Sequence, residues 1–266
     1  MSTSTEPLLK HLHNQSRLRV WSLIITFFGD SIIEKGGEVE ASRLKVLMQA
    51  MGIEAGTLRT ALSRLTNDNW IERYKIGKNT IYRLGGRGLK EFGPASKIIY
   101  SPPKITSEKK WKLIITPDFD TEPYGFNLQP GVSIVPISHD VPEGSLIFEG
   151  KINMLSETTC YKLLPKGYLE EINQLIDLLS PIKFVNLNPL EAMIARTLVI
   201  HNWRKIVLKF PEVPNEFTPK SWKGYNIRFM VKNIYDGLTP QADTWLNLPT
   251  EKSVINFGNF KTPKRF

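Results

Sequence analysis

Two groups of side chains in this sequence have the types and spacing to do chemistry. The first is a run of short polar and cationic residues, Thr57, Arg59, Thr60, Ser63, Arg64 and Asn67, with no acid among them. At about 100° per residue they share one helix face, opposite Leu58, Ala61, Leu62 and Leu65. Arginine forks to guanine edges or clamps phosphate, and threonine and serine approach a sugar-phosphate backbone closely. The chemistry is recognition of duplex DNA, set against a plain solvated helix face. Just downstream, Arg73, Lys75, Lys78, Asn79 and Arg83 extend the pattern; between residues 71 and 90 the cations meet a single acid, Glu72. The second group, Arg196, His201, Trp203 and Arg204, combines an aromatic ring and an imidazole with anion-pairing guanidinium groups.

Periodicity supplies the elements that must carry the first group. Residues 17–28 are apolar at Leu18, Trp21, Ile25 and Phe28, a helical stripe that Gly29-Asp30 is expected to end. Residues 36–39 read as a turn into a very short strand. A second helix spans 41–51, with Leu44, Leu47, Met48 and Met51 on one face; Gly52 stops it, and the third runs over 57–67. Residues 70–74 and 80–84 read as strands around the tight turn Gly77-Lys78-Asn79. Two helices joined by a short turn and followed by a basic hairpin make a winged helix-turn-helix. Its third helix enters the major groove while the hairpin lines phosphates beside it. Such cationic contacts make affinity strongly salt-dependent.

Further on, Pro94, Pro102 and Pro103 mark 95–107 as a linker. Strands are expected at 111–116, 132–137 and 145–150, and a helix over 163–179 with Leu169, Ile172, Leu175, Ile176 and Leu179 at helical spacing. That mixture suits a small α+β domain. The second group sits on a helix over 188–210, where Asn188, Pro189 and Glu191 form a capping box. Leu190, Ile194, Thr197, His201 and Leu208 share one face, and Val199, Trp203, Ile206 and Phe210 the other. A helix apolar on two faces packs between layers. His201 therefore reads either as a buried imidazole with local partners or as part of a ligand pocket. Because Arg196 lies nearer Trp203 than His201 on the wheel, the four cannot all enter one pocket. The expected division is a DNA-binding domain at 1–94, a linker at 95–107, a central domain at 108–180 and a helical C-terminal domain at 181–266.

Composition narrows the class. The chain has 266 residues, room for two or three domains, and is 41% hydrophobic, which excludes a disordered chain. Thirty-five Lys+Arg against 26 Asp+Glu leave +9, and residues 1–100 hold 15 of the former and 9 of the latter. The basic excess belongs to the DNA-reading region. Cys160 alone excludes a disulfide scaffold or a multi-thiolate zinc site and fits a reducing compartment. No apolar run approaches the length of a membrane span, and residues 1–14 lack a signal-peptide core, so a cytoplasmic protein is expected. No P-loop, dinucleotide fingerprint or G-x-S-x-G elbow is present. His11 and His13 sit in a polar tail read as disordered, and His139-Asp140 is too isolated for a dyad. Asp118 and Asp120 follow a strand as nuclease carboxylates can, but also as turn residues do, and no second acidic cluster accompanies them. No catalytic residue, metal or cofactor is expected.

Taken together, the residues resemble the PaaX family of bacterial transcriptional repressors. The resemblance lies in Phe28-Gly29-Asp30-Ser31, Gly36-Gly37-Glu38, Leu58-Arg59-Thr60-Ala61-Leu62-Ser63-Arg64-Leu65, Trp70, Arg73, Ile76-Gly77, Tyr82, Leu84, Gly88-Leu89 and Ser96-Lys97-Ile98-Ile99-Tyr100. It continues in Leu198-Val199-Ile200-His201-Asn202-Trp203-Arg204-Lys205 and Pro219-Lys220-Ser221-Trp222-Lys223-Gly224. It implies a winged helix, a central ferredoxin-like (Cas2-like) domain and a helical C-terminal domain. It also implies repression of a catabolic operon, relieved by an aryl-acyl-CoA such as phenylacetyl-CoA. Arg196, His201, Trp203 and Arg204 would then lie near an acyl-CoA pocket between domains. Lys78-Asn79 at the hairpin tip departs from the two arginines frequent in the family, which implies a different operator. A homodimer on a near-palindromic operator is expected, because one winged helix makes a small interface. Set against this are a winged-helix regulator without a small ligand and an enzyme, either a Cas2-like metal-dependent nuclease or an acyl-CoA-handling one.

Overall fold

The computed structural model describes residues 5–15, 18–102, 110–116, 125–182, 187–210, 213–249, 255 and 265–266. In chain order the elements are α1 (Glu6–His13), α2 (Val20–Phe27), β1 (Glu38–Glu40), α3 (Ala41–Ala50), α4 (Ala55–Asn67), β2 (Ile71–Ile76), β3 (Asn79–Leu84) and α5 (Gly86–Ile99). Then come β4 (Trp111–Ile115), β5 (Phe126–Gln129), β6 (Val132–Pro136), β7 (Leu146–Gly150), α6 (Glu157–Leu163), α7 (Tyr168–Leu179), α8 (Pro189–Lys209) and α9 (Ile227–Asn247). Helices and two antiparallel sheets make this an α+β chain. It divides into two compact units, one of Met1–Pro102, Gln174–Lys209 and Arg228–Phe266, the other of Pro103–Asn173 and Phe210–Ile227. The units do not run as the three consecutive segments expected, because the late helices pack with the N-terminal region.

In the first unit the tail expected to be disordered is helix α1. Its Leu8 and Leu12 are buried, and His13 Nε2 hydrogen-bonds to the Met51 carbonyl at 2.9 Å. Gly29-Asp30 does not end α2: the chain widens into a π-helical turn over Phe28–Ile32, tightens into a 3-10 turn over Ile33–Lys35 and stops at Gly36, whose φ is 91°. Glycine at 29 permits the approach of α5, since a Cβ there would fall 1.7 Å from Phe92 Cε1. Residues 95–99 are not linker but the last turns of α5. Pro94 sits inside that helix at an exposed position, where solvent can replace the hydrogen bond that proline removes. The other end of the proposed linker, 103–107, lies outside the described residues.

Helix α8 starts as its sequence dictates, with Glu191 N donating to Asn188 Oδ1 at 3.0 Å and Asn188 N to Glu191 Oε2 at 3.2 Å. Every residue from Glu191 to Trp203 is buried, so the helix forms the centre of this unit. Helix α9 was not read from the sequence. Its last turn is held by Arg43 of α3, which donates to the carbonyls of Trp245 at 2.7 Å and Leu248 at 2.5 Å.

The second unit carries a four-stranded antiparallel sheet in the order β5-β6-β4-β7. Trp111, Ile134, Leu163 and Phe217 form its core, with Leu113 and Phe126 packed against them. The helix expected over 163–179 is α7, which starts at Tyr168; α6, which was not expected, precedes it, and Pro165 and Gly167, with φ of 83°, turn the chain between them. A ferredoxin-like unit is β-α-β-β-α-β. Here residues 137–145 join β6 to β7 without a helix, which departs from the expected ferredoxin-like (Cas2-like) layout at that connection. Asp118 and Asp120 lie outside the described residues.

Candidate nucleic-acid interface and a cationic cleft

Helices α3 and α4 are joined by a short turn over 51–54, and α4 keeps Leu58, Ala61, Leu62 and Leu65 inward. Thr57, Arg59, Thr60, Ser63, Arg64 and Asn67 are all exposed on its other face. Thr60 Oγ1 donates to the Gly56 carbonyl at 3.1 Å, and Arg64 Nε lies 3.6 Å from the Asp68 carboxylate. An exposed pair one helical turn apart is weak and gives way readily to a stronger anion. The face is therefore available, acid-free apart from Asp68 at its end, and rigidly backed.

The hairpin follows directly. Strand β3 pairs with β2 on one side and β1 on the other, with Ile76 opposite Asn79, so Gly77-Lys78 is a two-residue loop. The φ of 58° at Gly77 is what a type II′ turn needs at its first central position. Asn79 is half-buried at the base of that loop. Strand alternation then separates the cations. Arg73 and Lys75 share the face of their partners Tyr82 and Thr80, whereas Arg83 projects from the other face opposite Glu72. Arg83 Nη2 lies 2.8 Å from Glu72 Oε2, and its guanidinium sits 5.5 Å from the Tyr74 ring centre. Of the four cations expected along the hairpin all are exposed; Arg73, Lys75 and Lys78 lie on one face or at the tip, and Arg83, on the other face, pairs with Glu72. Arg87, the next cation after the hairpin, lies over the Trp70 ring at 5.0 Å.

The second group does not assemble. Arg196 is fully buried: Nε donates to Asp30 Oδ2 at 3.0 Å, Nη1 to Asp243 Oδ1 at 3.2 Å and Nη2 to Ser31 Oγ at 2.7 Å. Tyr100 OH donates to Asp30 Oδ1 at 2.7 Å, and Lys35 Nζ reaches Asp243 at 3.1 Å. Burial opposes the Arg196 charge, but Asp30 first and then Tyr235 and Asp243 outweigh it, holding the group above its ordinary range. His201 Nδ1 lies 3.0 Å from Thr26 Oγ1, whose own proton goes to the Ser22 carbonyl at 2.9 Å. Nδ1 is therefore the donor. Burial, with Lys205, Arg204 and His11 nearby, pushes His201 well down and keeps it neutral. Trp203 Nε1 donates to the Ile99 carbonyl at 2.9 Å, fixing the end of α5.

Of the four, Arg204 lines a cleft. It is half-buried, donates through Nη2 to Ser22 Oγ at 2.7 Å, and opens on a cleft of about 440 Å³ shared with Arg19, Trp21, Lys205, Leu208 and Lys209. The cleft lies entirely within the first unit. Among the described residues no group of three or more His, Cys, Asp or Glu is placed to hold a metal, and no helix is long and apolar enough to cross a membrane.

Comparison with known proteins closes the question of kinship. Residues 19–88 match the family model described as PaaX-like protein, and residues 163–248 match the PaaX-like protein C-terminal domain. The chain is 27% identical over 293 aligned residues to the transcriptional repressor PaaX of Escherichia coli (strain K12), covering 97% of this chain and 92% of that protein. Among solved structures, the uncharacterized protein Rv0674 from Mycobacterium tuberculosis superposes with a TM-score of 0.48 at 18% identity, covering 77% of this chain and 91% of that one. The first match contains α3, α4 and the hairpin, and the second contains α8 and all of α9. The chain belongs to the PaaX-like protein family.

Proposed function

We propose that the chain is a DNA-binding transcriptional repressor of a catabolic operon, released from its operator by an aryl-acyl-CoA such as phenylacetyl-CoA. The observation that carries the reading is the exposed face of α4, in a chain similar over nearly its whole length to a transcriptional repressor. Residues 38–84 act as a winged helix-turn-helix. Thr57, Arg59, Thr60, Ser63 and Arg64 read the major groove, Arg73, Lys75 and Lys78 hold flanking phosphates, and Asn79 and Arg83 support the hairpin. The protein works in the cytoplasm as a homodimer whose two recognition helices meet a near-palindromic operator. It is not an enzyme and uses no catalytic cofactor; the acyl-CoA is an effector, and it derepresses only by binding the DNA-competent and released states unequally. Of the four residues first assigned to that effector, Arg204 retains a direct role, while Arg196, His201 and Trp203 hold the helices around it.

Fluorescence anisotropy on DNA from upstream of the gene, titrated with phenylacetyl-CoA, free phenylacetate and CoA, tests this reading. Release by the thioester alone is the expected result. Specific binding indifferent to all three removes the effector, and a complex containing one protein chain at saturation removes the dimer.

A further inference from the structure

Helix α1 precedes the segment matched to the family, which begins at residue 19. Its last residue, His13, reaches the turn between α3 and α4. Helix α3 closes at Met51, where Gly52 N donates to the Gln49 carbonyl and Ile53 N to the Met48 carbonyl, both at 2.9 Å. This paired closure needs a left-handed residue after the cap, and Gly52 supplies it with a φ of 79°. The carbonyl of Met51 itself takes no part in those two bonds, and His13 Nε2 donates to it at 2.9 Å. A Cβ at 52 would fall 2.7 Å from the same nitrogen, so glycine also leaves the imidazole its place. Met51 and Ile53 are buried and anchor the turn from the core, while His13 holds it from the surface.

Helix α1 is itself fastened. Leu8 and Leu12 are buried, His11 lies beside Asn202 and Lys205 of α8, and Gln15 Oε1 accepts from Lys205 Nζ at 3.1 Å. His13 therefore acts from an element that rests on α8, the buried centre of the unit. On the other side of the turn α4 starts at Ala55, and Thr57 and Arg59 of its acid-free face lie in its first two turns. The direction in which α4 leaves the turn decides where those side chains meet a groove. We propose that His13 is a positioning residue for DNA recognition: its hydrogen bond to the Met51 carbonyl fixes the turn and so holds α4 at the angle that base reading needs. The role rests on the DNA-reading proposal above. With the bond lost, the turn must be ordered as DNA binds. That cost falls on base contacts, which need close helix placement, and far less on phosphate contacts from the hairpin.

Anisotropy titrations of the parent, His13→Ala and His13→Gln proteins with the upstream DNA and a scrambled duplex test the role. His13 is exposed, so both variants should fold, checked by their melting temperatures. His13→Ala should bind the upstream DNA about three- to tenfold more weakly, the net worth of one hydrogen bond, and the scrambled duplex much as the parent does. His13→Gln keeps an N–H donor and should recover most of the lost affinity. An unchanged ratio of the two affinities in His13→Ala, whatever its melting temperature, or an equal loss of ratio in both variants, overturns the role. The recognition reading is judged by the parent. A parent that binds both duplexes alike removes that reading and this role with it, whereas a parent that discriminates, beside a His13→Ala protein that discriminates equally well, removes the role alone.

Discussion

Arg196 Nε donates to Asp30 Oδ2 at 3.0 Å across 166 residues of sequence, with both side chains completely buried. The pair joins the π-helical turn after α2 to the middle of α8, and Asp243 on α9 and Tyr100 at the end of α5 complete the network. A guanidinium that pairs with two carboxylates inside the protein holds helices together and is not at hand for a ligand. Removing it leaves Asp30 buried without the guanidinium it pairs with and takes from Asp243 one of its cationic partners, Lys35 being another. Arg196→Ala should therefore cost about 3–5 kcal/mol of stability, measured by urea unfolding. A loss under about 1 kcal/mol would mean that the network relaxes onto solvent and is not the fastening described.

Gly29 and Phe92 make a second test of the same region. A methyl group at 29 would fall 1.7 Å from Phe92 Cε1, so Gly29→Ala should destabilise by about 1–3 kcal/mol through overpacking. Combining it with Phe92→Ala should cost less than the two single changes added together, because the second change removes the clash. Simple additivity would show that glycine is needed at 29 for its backbone and not for this contact.

His201 gives a pH dependence of definite sign. Its folded-state pKa lies well below 6.5, whereas in the unfolded chain it titrates near about 6.5. Below that pH the unfolded chain binds a proton that the folded chain refuses. Stability from this group is thus complete above about pH 6.5 and falls as the pH drops toward the folded value, by at most about 1.4 kcal/mol per pH unit. Unfolding free energies of His201→Gln should fall less steeply than those of the parent between about pH 6.5 and 5. His11, itself lowered by burial, adds a parallel slope that both proteins share. Identical slopes would contradict a buried neutral His201.

What the sequence showed and what it hid divide along the distance between interacting residues. The acid-free face of α4 and the Asn188–Glu191 capping box depend on neighbours three or four residues away, and both could be read directly. Helix α1 was missed because Leu8 and Leu12 offer only a short stripe in eight residues, and tertiary contacts such as His13 to Met51 complete it. The end of α5 was hidden by Pro94, a residue that ordinarily breaks helices. Arg196 looked like a phosphate ligand because its carboxylate partners are remote in sequence. The pairing of Arg83 with Glu72 was in principle visible, since hairpin register around Gly77-Lys78 puts these two directly opposite each other. Nothing local announced that Arg43 of α3 would hold the end of α9.

The central claim is that α4 reads sequence while the hairpin supplies general affinity. Its most direct test compares the affinity for the upstream DNA with that for a scrambled duplex, in the parent, Arg64→Ala and Lys78→Ala proteins, over a range of salt. The parent should prefer the upstream DNA. Arg64→Ala should lose about 1–3 kcal/mol on that DNA and little on the scrambled one, whereas Lys78→Ala should weaken both and reduce the salt slope by about one. A parent protein that binds both duplexes alike, or an Arg64→Ala protein weakened equally on both, would contradict the account.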